Sequence, residues 1–215
     1  MDLYYHIIPP PSRAVLVLAK MLNIKLNLIS IDTRDPSEMD ILTKVNPLQS
    51  LPTLIDDGQI VGESHTVLIH LTTQFDKKGT LYPPDLKIRS AINECLFFDT
   101  NMYKCFVSYS MPTVIKRQEP NQELLEKLLV CIRALDVYLK GRTYAAGNRF
   151  TLADLSLAHT IASLEVIKVK LADFPNIERW LQKALSEMPE FGELHTRAEE
   201  ALHTFLAKQY GANRA

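Results

Sequence analysis

The sequence predicts an α/β domain followed by a domain built only of helices. Residues 1–75 alternate between short strand-like and helical stretches, whereas the apolar segments after residue 86 have helical spacing. The stretch "DKKGTLYPPDLK" between them carries the glycine and prolines that are typical of a linker. We therefore predict an α/β domain over 1–76, a linker over 77–85 and an all-α domain over 86–215.

The elements of the first domain follow the order βαβαββα. In chain order they are the strand "DLYYHII", the helix "SRAVLVLAKMLN", the strand "LNLISID", the helix "SEMDILTKVN", the hairpin "LPTLIDDGQIVGES" and the helix "HTVLIHLTTQF". The Asp57-Gly58 pair predicts the tight turn of the hairpin. Helical connections predict parallel pairing of the first strands, and the hairpin adds antiparallel ones.

Helix-start signals support several of these elements. Ser37 is the predicted cap of the helix "EMDILTKV", and Thr151 with Asp154 predicts a capping box before the apolar helix "LADLSLAHT". In the second domain the predicted helices are 86–118, 122–140, 152–170, 175–188 and a more polar 190–209.

Composition excludes several classes of function. Of the 215 residues 47% are hydrophobic, and the formal charge of −1 gives no electrostatic support for binding nucleic acid or an anionic membrane. We expect no membrane span and no signal peptide, because the apolar runs are short and no basic N-terminal region precedes one. The three cysteines form no CxxC and favour a reducing compartment. The six histidines form no HExxH and no Cys/His cluster, so we expect no metal.

Two short motifs in the first domain carry candidate binding chemistry. In "SLPTL", Pro52 removes a ladder donor between strand-like stretches. It is either a cis-proline that leaves the backbone of Leu51 exposed to a ligand, or an ordinary trans edge proline. In "GES", Glu63 and Ser64 precede a helix, where amides favour an anion. Ser64 can hold a ligand carboxylate and Glu63 an ammonium group, or Ser64 simply caps the helix.

The ordered set of motifs resembles a known family. The stretches "YY…PPPSRAV", "VNPLQSLPTLIDDG", "VGESHTVLIHL", "LYPPD", "LFFDTNMY" and "AAGNRFTLADLSLA" occur in the order and at the spacing of cytosolic glutathione transferases. The resemblance covers nearly the whole chain and is closest to the insect delta and epsilon classes.

The resemblance implies the glutathione transferase fold, with a thioredoxin-like first domain that binds glutathione and a helical second domain that lines an apolar pocket. It implies a cis-proline at Pro52, pairing of the Leu51 backbone with the cysteinyl part of glutathione, and contacts of Glu63 and Ser64 with the γ-glutamyl end. Gln49, Ser50 and His65 complete the implied site. It also implies a cytoplasmic homodimer that acts in detoxification, with glutathione as co-substrate.

The sequence departs from the family where the thiol is activated. A serine hydroxyl usually stabilises the glutathione thiolate two residues before a proline of this turn, and here Pro9 stands in its place. Gln49 similarly replaces a histidine that usually binds the glycyl end. The remaining thiolate donors are Ser12, which ranks first, His6 and Tyr103.

The predicted electrophile pocket lies on the stretch "FFDTNMYKCFVSYSM". Its candidate residues are Met102, Tyr103, Phe106 and Tyr109, with Phe205 near the C-terminus as a further candidate. Core packing is the alternative for these side chains. The leading hypothesis is an enzyme that conjugates glutathione to hydrophobic electrophiles. A weakly catalytic or non-catalytic binding protein of the same fold is the second, and a structural subunit is the third.

Overall fold

The computed structural model describes residues 1–211. Within this range the elements follow the predicted order. They are β1 (Asp2–Tyr5), α1 (Pro10–Met21), β2 (Asn27–Ser30), α2 (Pro36–Val45), β3 (Thr53–Asp56), β4 (Gln59–Val61), α3 (Ser64–Phe75), α4 (Leu86–Ser110), α5 (Gln122–Tyr138), α6 (Leu152–Ala162), α7 (Pro175–Ser186) and α8 (Phe191–Tyr210). No helix of the described part is both long and apolar enough to cross a bilayer.

The sheet of the N-terminal region has the strand order β2-β1-β3-β4. β1 pairs with β2 in parallel and with β3 antiparallel, and β3 and β4 form the predicted hairpin. Asp57 and Gly58 have φ values of 46° and 80°. Positive φ at both central residues is what a type I′ turn requires. The structure therefore confirms the sheet and the position of its turn.

The cap of α2 differs from the prediction. The side chain of Asp35, not Ser37, occupies the N-cap, and its Oδ1 accepts a hydrogen bond from the Ser37 amide at 2.8 Å. Pro36 then takes the first helical position, where its missing N–H costs nothing. Ser37 lies inside the first turn and donates its own hydroxyl to Asp35 at 2.7 Å.

The chain forms two units, and the last helix packs in the first of them. One unit contains Met1–Gly79 together with the described residues from Pro189 to 211, and the other contains Thr80–Met188. The predicted helical domain ran to residue 215, of which residues 212–215 lie outside the described range. The assignment of α8 thus differs from the prediction, because this helix contacts α1.

The contacts between α8 and the rest of its unit are both apolar and charged. The buried α8 side chains recur at helical spacing and are Phe191, Leu194, Ala198 and Leu202. On α1, the ammonium of Lys20 lies 3.2 Å from the Glu190 carboxylate and 3.1 Å from that of Glu193. These ion pairs are exposed, so the apolar stripe supplies most of the stabilisation.

The described residues of the second unit form helices joined by loops, without a strand. α4 ends at Ser110 in a π-helical turn over Met111–Ile115, and α6 ends at Ala162 in a 3₁₀ turn over Ser163–Ile167. Both α-helices are therefore shorter than predicted. The capping box of Thr151 and Asp154 is confirmed.

The capping-box carboxylate also ties α6 to neighbouring segments. Asp154 accepts hydrogen bonds from the Ala145 amide at 2.7 Å, the Thr151 amide at 3.0 Å and the Trp180 indole at 2.8 Å. All four of these residues are fully buried. The buried Asp154 carboxylate therefore connects the loop before α6, the start of α6 and the helix α7. Each of these three segments donates a hydrogen bond to it.

Candidate functional site

The turn between α2 and β3 is organised by the buried side chain of Asn46. Its Nδ2 donates to the hydroxyls of Ser50 at 3.1 Å and Thr53 at 2.9 Å, and its Oδ1 accepts from the Leu48 amide at 3.0 Å. A Cβ on Gly62 would lie 3.4 Å from Asn46 Nδ2 and 3.5 Å from Ser50 Oγ. This close packing brings the two predicted motifs, "SLPTL" and "GES", together.

The sequence patterns did not single out Asn46 or Gly62. An asparagine that accepts from the amide two residues onward forms an Asx turn. The "VNP" stretch, with Asn46 directly before a proline, was the available signal. Gly62 carried no such signal, because its role depends on contact with residues 46 and 50.

The Leu51–Pro52 peptide bond is cis, as predicted. Pro52 is buried and Leu51 is half-buried. The preceding carbonyl, that of Ser50, accepts a hydrogen bond from the Thr53 hydroxyl at 2.7 Å. The turn that carries Leu51 into β3 is thus held by hydrogen bonds on both sides of the cis bond.

Gln49 is exposed and is held by α2. Its backbone lies in the left-handed region at φ 54°, and its amide donates to the Asn46 carbonyl at 2.8 Å. The side-chain Nε2 donates to the Thr43 hydroxyl at 3.1 Å. A ligand that recruits this side chain competes with Thr43 for it.

Glu63 stands at the N-cap of α3 in an unusual backbone conformation. Its φ is 62° and its ψ is 119°, and its side chain is exposed and makes no capping hydrogen bond. Ser64 is therefore the first helical residue rather than the cap. A residue other than glycine at positive φ is strained, and such strain concentrates at ligand-binding sites. The segment presents a carboxylate and a half-exposed hydroxyl at a helix start.

The start of α1 offers few hydrogen-bond donors. N–H groups at the cap and the first three positions of a helix lack intrahelical partners. Here those positions are Pro9, Pro10, Pro11 and Ser12, so only Ser12 supplies an amide. Pro9 has ordinary extended dihedrals and makes no side-chain cap.

Ser12 is fully buried. Its Oγ has no hydrogen-bond partner within residues 1–211, and the residue has no exposed surface. The hydroxyl therefore has unused capacity to donate, but a ligand reaches it only after a local movement or through water. Its role at the thiolate stays a prediction.

His6 follows β1 and precedes the prolines. Its Nδ1 accepts from the Ile8 amide at 3.3 Å, which places the ring proton of the neutral imidazole on Nε2. Burial lowers the pKa of His6, partly offset by the Asp32 carboxylate, so the ring is neutral near pH 7. A neutral imidazole can donate one hydrogen bond from Nε2.

The predicted pocket residues of α4 are mostly buried. Met102, Phe106 and Tyr109 are buried and Tyr103 is half-buried, with the Tyr103 and Phe106 ring centroids 6.2 Å apart. None of them lines the cavity of about 180 Å³ in the helical unit, which is bordered by Cys95, Phe98 and Tyr138 among others.

Phe205 lies in the first unit and packs against a cation. The Arg34 guanidinium sits 4.1 Å above the centre of its ring. This contact connects α8 with the segment after β2, and the predicted role of Phe205 in a pocket stays a prediction.

Comparisons with known proteins match both parts of the chain. Residues 3–79 match the family model for the glutathione S-transferase N-terminal domain, and residues 97–187 match that for the C-terminal domain. Glutathione S-transferase D6 of Drosophila melanogaster is 32% identical over 97% of each chain.

Solved structures agree with this match. Glutathione S-transferase 1-6 from Anopheles dirus species B is 38% identical with a TM-score of 0.90, covering 97% of this chain and 100% of that one. A delta-class glutathione transferase of Nilaparvata lugens is 30% identical with a TM-score of 0.86, covering 96% of this chain and 98% of that one. The chain therefore belongs to the glutathione S-transferase family, with relatives among the insect delta and epsilon classes.

Proposed function

We propose that this protein conjugates glutathione to small hydrophobic electrophiles. The observation that carries the proposal is Glu63, an exposed acid kept at positive φ at the start of α3. The strained backbone of Glu63 is not offset by a hydrogen bond of its side chain to the rest of the chain that the structure describes. Strain of this kind is concentrated at ligand-binding sites. The relatives are transferases by name, and the proposal brings that activity to this chain.

We place the γ-glutamyl end of glutathione on α3. Glu63 accepts from the ligand ammonium, and Ser64 donates to its carboxylate at the helix start. The cysteinyl part pairs with the Leu51 backbone beside Pro52. Gln49, Ser50 and His65 complete the glutathione site, and Gln49 exchanges its Thr43 contact for the ligand.

The start of α1 offers few donors for the glutathione thiolate. Pro9 has no N–H and no hydroxyl, and Pro10 and Pro11 add no amide. Ser12 carries both an amide and an unpartnered hydroxyl, so we propose it as the thiolate donor, directly or through water. A lost preorganised donor typically costs a factor of roughly 10²–10³ in rate, so a slower enzyme is expected.

The side chains of α4 are proposed to contact the electrophile. These are Met102, Tyr103, Phe106 and Tyr109, with Phe205 from α8 as a further contact. Aromatic and methionine side chains adapt to apolar ligands of different shapes. A homodimer, a cytoplasmic location and a role in detoxification complete the proposal.

A binding protein without fast turnover is the second candidate. The observation that favours it is the loss of donors at Pro9, Pro10 and Pro11. Both candidates predict glutathione binding, and only the first predicts conjugation.

One experiment separates the two candidates. Glutathione affinity is measured by calorimetry, and conjugation of a generic aromatic electrophile is measured spectroscopically, on wild-type protein and on Glu63→Gln. Turnover that falls with affinity in Glu63→Gln supports the enzyme. If the wild-type protein binds glutathione but conjugates it no faster than the uncatalysed reaction, the binding protein is selected. If Glu63→Gln keeps both the affinity and the conjugation rate of wild type, the placement of the γ-glutamyl end is contradicted.

A further inference from the structure

Two of the three cysteines face each other across a helix pair. Cys105 lies on α4 and Cys131 on α5, and both are free and half-exposed. The two helices are in contact and antiparallel: residues 111–121 join the end of α4 to the start of α5, whereas Cys95, well before the end of α4, lies 3.6 Å from the hydroxyl of Tyr138 at the end of α5. Continuing this register brings residue 105 of α4 to the middle of α5.

The helix register brings the two thiols together, because Phe98 of α4 and Tyr138 of α5 border one cavity, and Cys105 and Cys131 lie about two helical turns from them in the same direction along the antiparallel pair. Burial and then the adjacent Cys105 thiol raise the pKa of Cys131. Lys127 lies one helical turn before Cys131 on α5. Its pKa is raised mainly by the Glu123 carboxylate at 2.7 Å and additionally by Cys105. A dithiol beside a cation is thus present on the α4–α5 surface.

Cys95 provides a contrast within the same helix. It is buried, its thiol is directed to the Tyr138 hydroxyl and the Ala145 carbonyl, and burial raises its pKa to about 11. A thiol reacts as its thiolate, so Cys95 is inert at neutral pH. Cys105 and Cys131 differ from it in being reachable and in having a second thiol as neighbour.

We propose that Cys105 and Cys131 form a redox modification site, at which a low-molecular-weight disulfide closes a reversible disulfide between α4 and α5. Neither cysteine belongs to the glutathione site proposed above, so this inference does not depend on it. The link encloses residues 106–130, which include the π-helical turn and the loop before α5.

The reaction proceeds by two thiol–disulfide exchanges. The Cys105 thiolate attacks one sulfur of glutathione disulfide, whose S–S bond breaks and releases one glutathione thiolate. The Cys131 thiolate then attacks the Cys105 sulfur of the mixed disulfide and displaces the second glutathione thiolate. The protein loses two protons and two electrons, and glutathione disulfide is reduced to two molecules of glutathione.

Trypsin separates the three cysteines, which makes the test direct. Cleavage after lysine and arginine places Cys95 in residues 90–104, Cys105 in 105–116 and Cys131 in 128–133. The full-length protein is incubated with glutathione disulfide, its free thiols are alkylated, and the non-reduced digest of the monomer is analysed by mass spectrometry. The expected product is peptide 105–116 linked to 128–133, which dithiothreitol separates.

Variants test the order of the two steps and the identity of the pair. Cys131→Ser is expected to accumulate the mixed disulfide at Cys105, because the resolving thiol is gone. The matched control Cys95→Ser is expected to form the 105–131 link as wild type does. The proposal is overturned if the monomer lacks this link after prolonged incubation, if mixed disulfides persist at both cysteines of the wild type, or if Cys95 takes part.

Discussion

Replacing Glu63 by glycine is expected to raise stability while weakening glutathione binding. The residue is at φ 62°, where a side chain costs roughly 1–2 kcal/mol relative to glycine. The greater freedom of glycine in the unfolded chain takes back roughly 0.4–1 kcal/mol. The net gain is about 0–1.6 kcal/mol, and at about 2–4 °C per kcal/mol for a chain of this length the melting temperature rises by up to about 6 °C.

The same change removes the proposed acceptor for the ligand ammonium. A hydrogen bond to a charged group contributes roughly 1.5–3 kcal/mol, which is roughly a tenfold to hundredfold loss of affinity. Calorimetric titration with glutathione and thermal unfolding of the same sample measure the two effects. Only a ligand-binding role for Glu63 gives them opposite signs.

Two control variants separate backbone strain from ligand contact. Glu63→Gln retains the backbone conformation, so its affinity falls while its melting temperature stays that of wild type. Asp57→Gly relieves another positive φ, 46° in the β3–β4 turn, and leaves affinity unchanged. Wild-type affinity in Glu63→Gly would refute the ammonium contact, and a lowered melting temperature would refute the strain argument.

Three further predictions concern the start of α1, His6 and the α6 cap. Ser12→Ala removes a buried, unpartnered hydroxyl, so denaturant unfolding should show a gain of about 1 kcal/mol, while conjugation falls about tenfold. An unchanged conjugation rate and pH profile in Ser12→Ala would exclude Ser12 as the thiolate donor. Pro9→Ser should raise the conjugation rate, because it adds a hydroxyl at the start of α1. Burial lowers the pKa of His6 in the folded protein below its value of about 6.5 in the unfolded chain. The contribution of His6 to folding stability is therefore complete above about pH 6.5 and is lost as the pH falls through the lower pKa of the folded state. His6→Gln should flatten that part of the unfolding free energy plotted against pH, and an identical slope would contradict it. Thr151→Ala should cost about 1 kcal/mol through the lost cap, with glutathione affinity unchanged, and a wild-type melting temperature would argue against the cap as a stabilising element.

Local signals predicted the parts of the fold that local physics determines. Asp57-Gly58 tolerates positive φ at both positions, and Thr151 with Asp154 satisfies amides of its own helix start. The cis bond before Pro52 followed from the motif and the family resemblance together. The prediction of Ser37 as the cap of α2 was wrong, because Asp35 and Ser37 are both residue types that cap helices well. Pro36 decides between them, since proline is favoured at the first helical position and Asp35 directly precedes it.

Features that depend on distant residues were not predictable in the same way. The apolar stripe of α8 indicates a buried face but does not identify α1 as the surface it covers. The positive φ of Glu63 and the burial of Ser12 likewise depend on packing that no short pattern encodes. The proximity of Cys105 and Cys131 depends on the register of α4 against α5, which the spacing within either helix leaves open.

The division of the chain has a consequence for folding during synthesis. The helical unit is continuous from Thr80 to Met188, so all of its contacts exist once that segment has left the ribosome. The other unit is complete only when α8 emerges, although its sheet is made first. Until then the surface of α1 that α8 covers is exposed on the nascent chain, a state in which apolar surface invites aggregation or chaperone binding. A chain released at Met188 would lack α8 and keep this surface of α1 uncovered permanently.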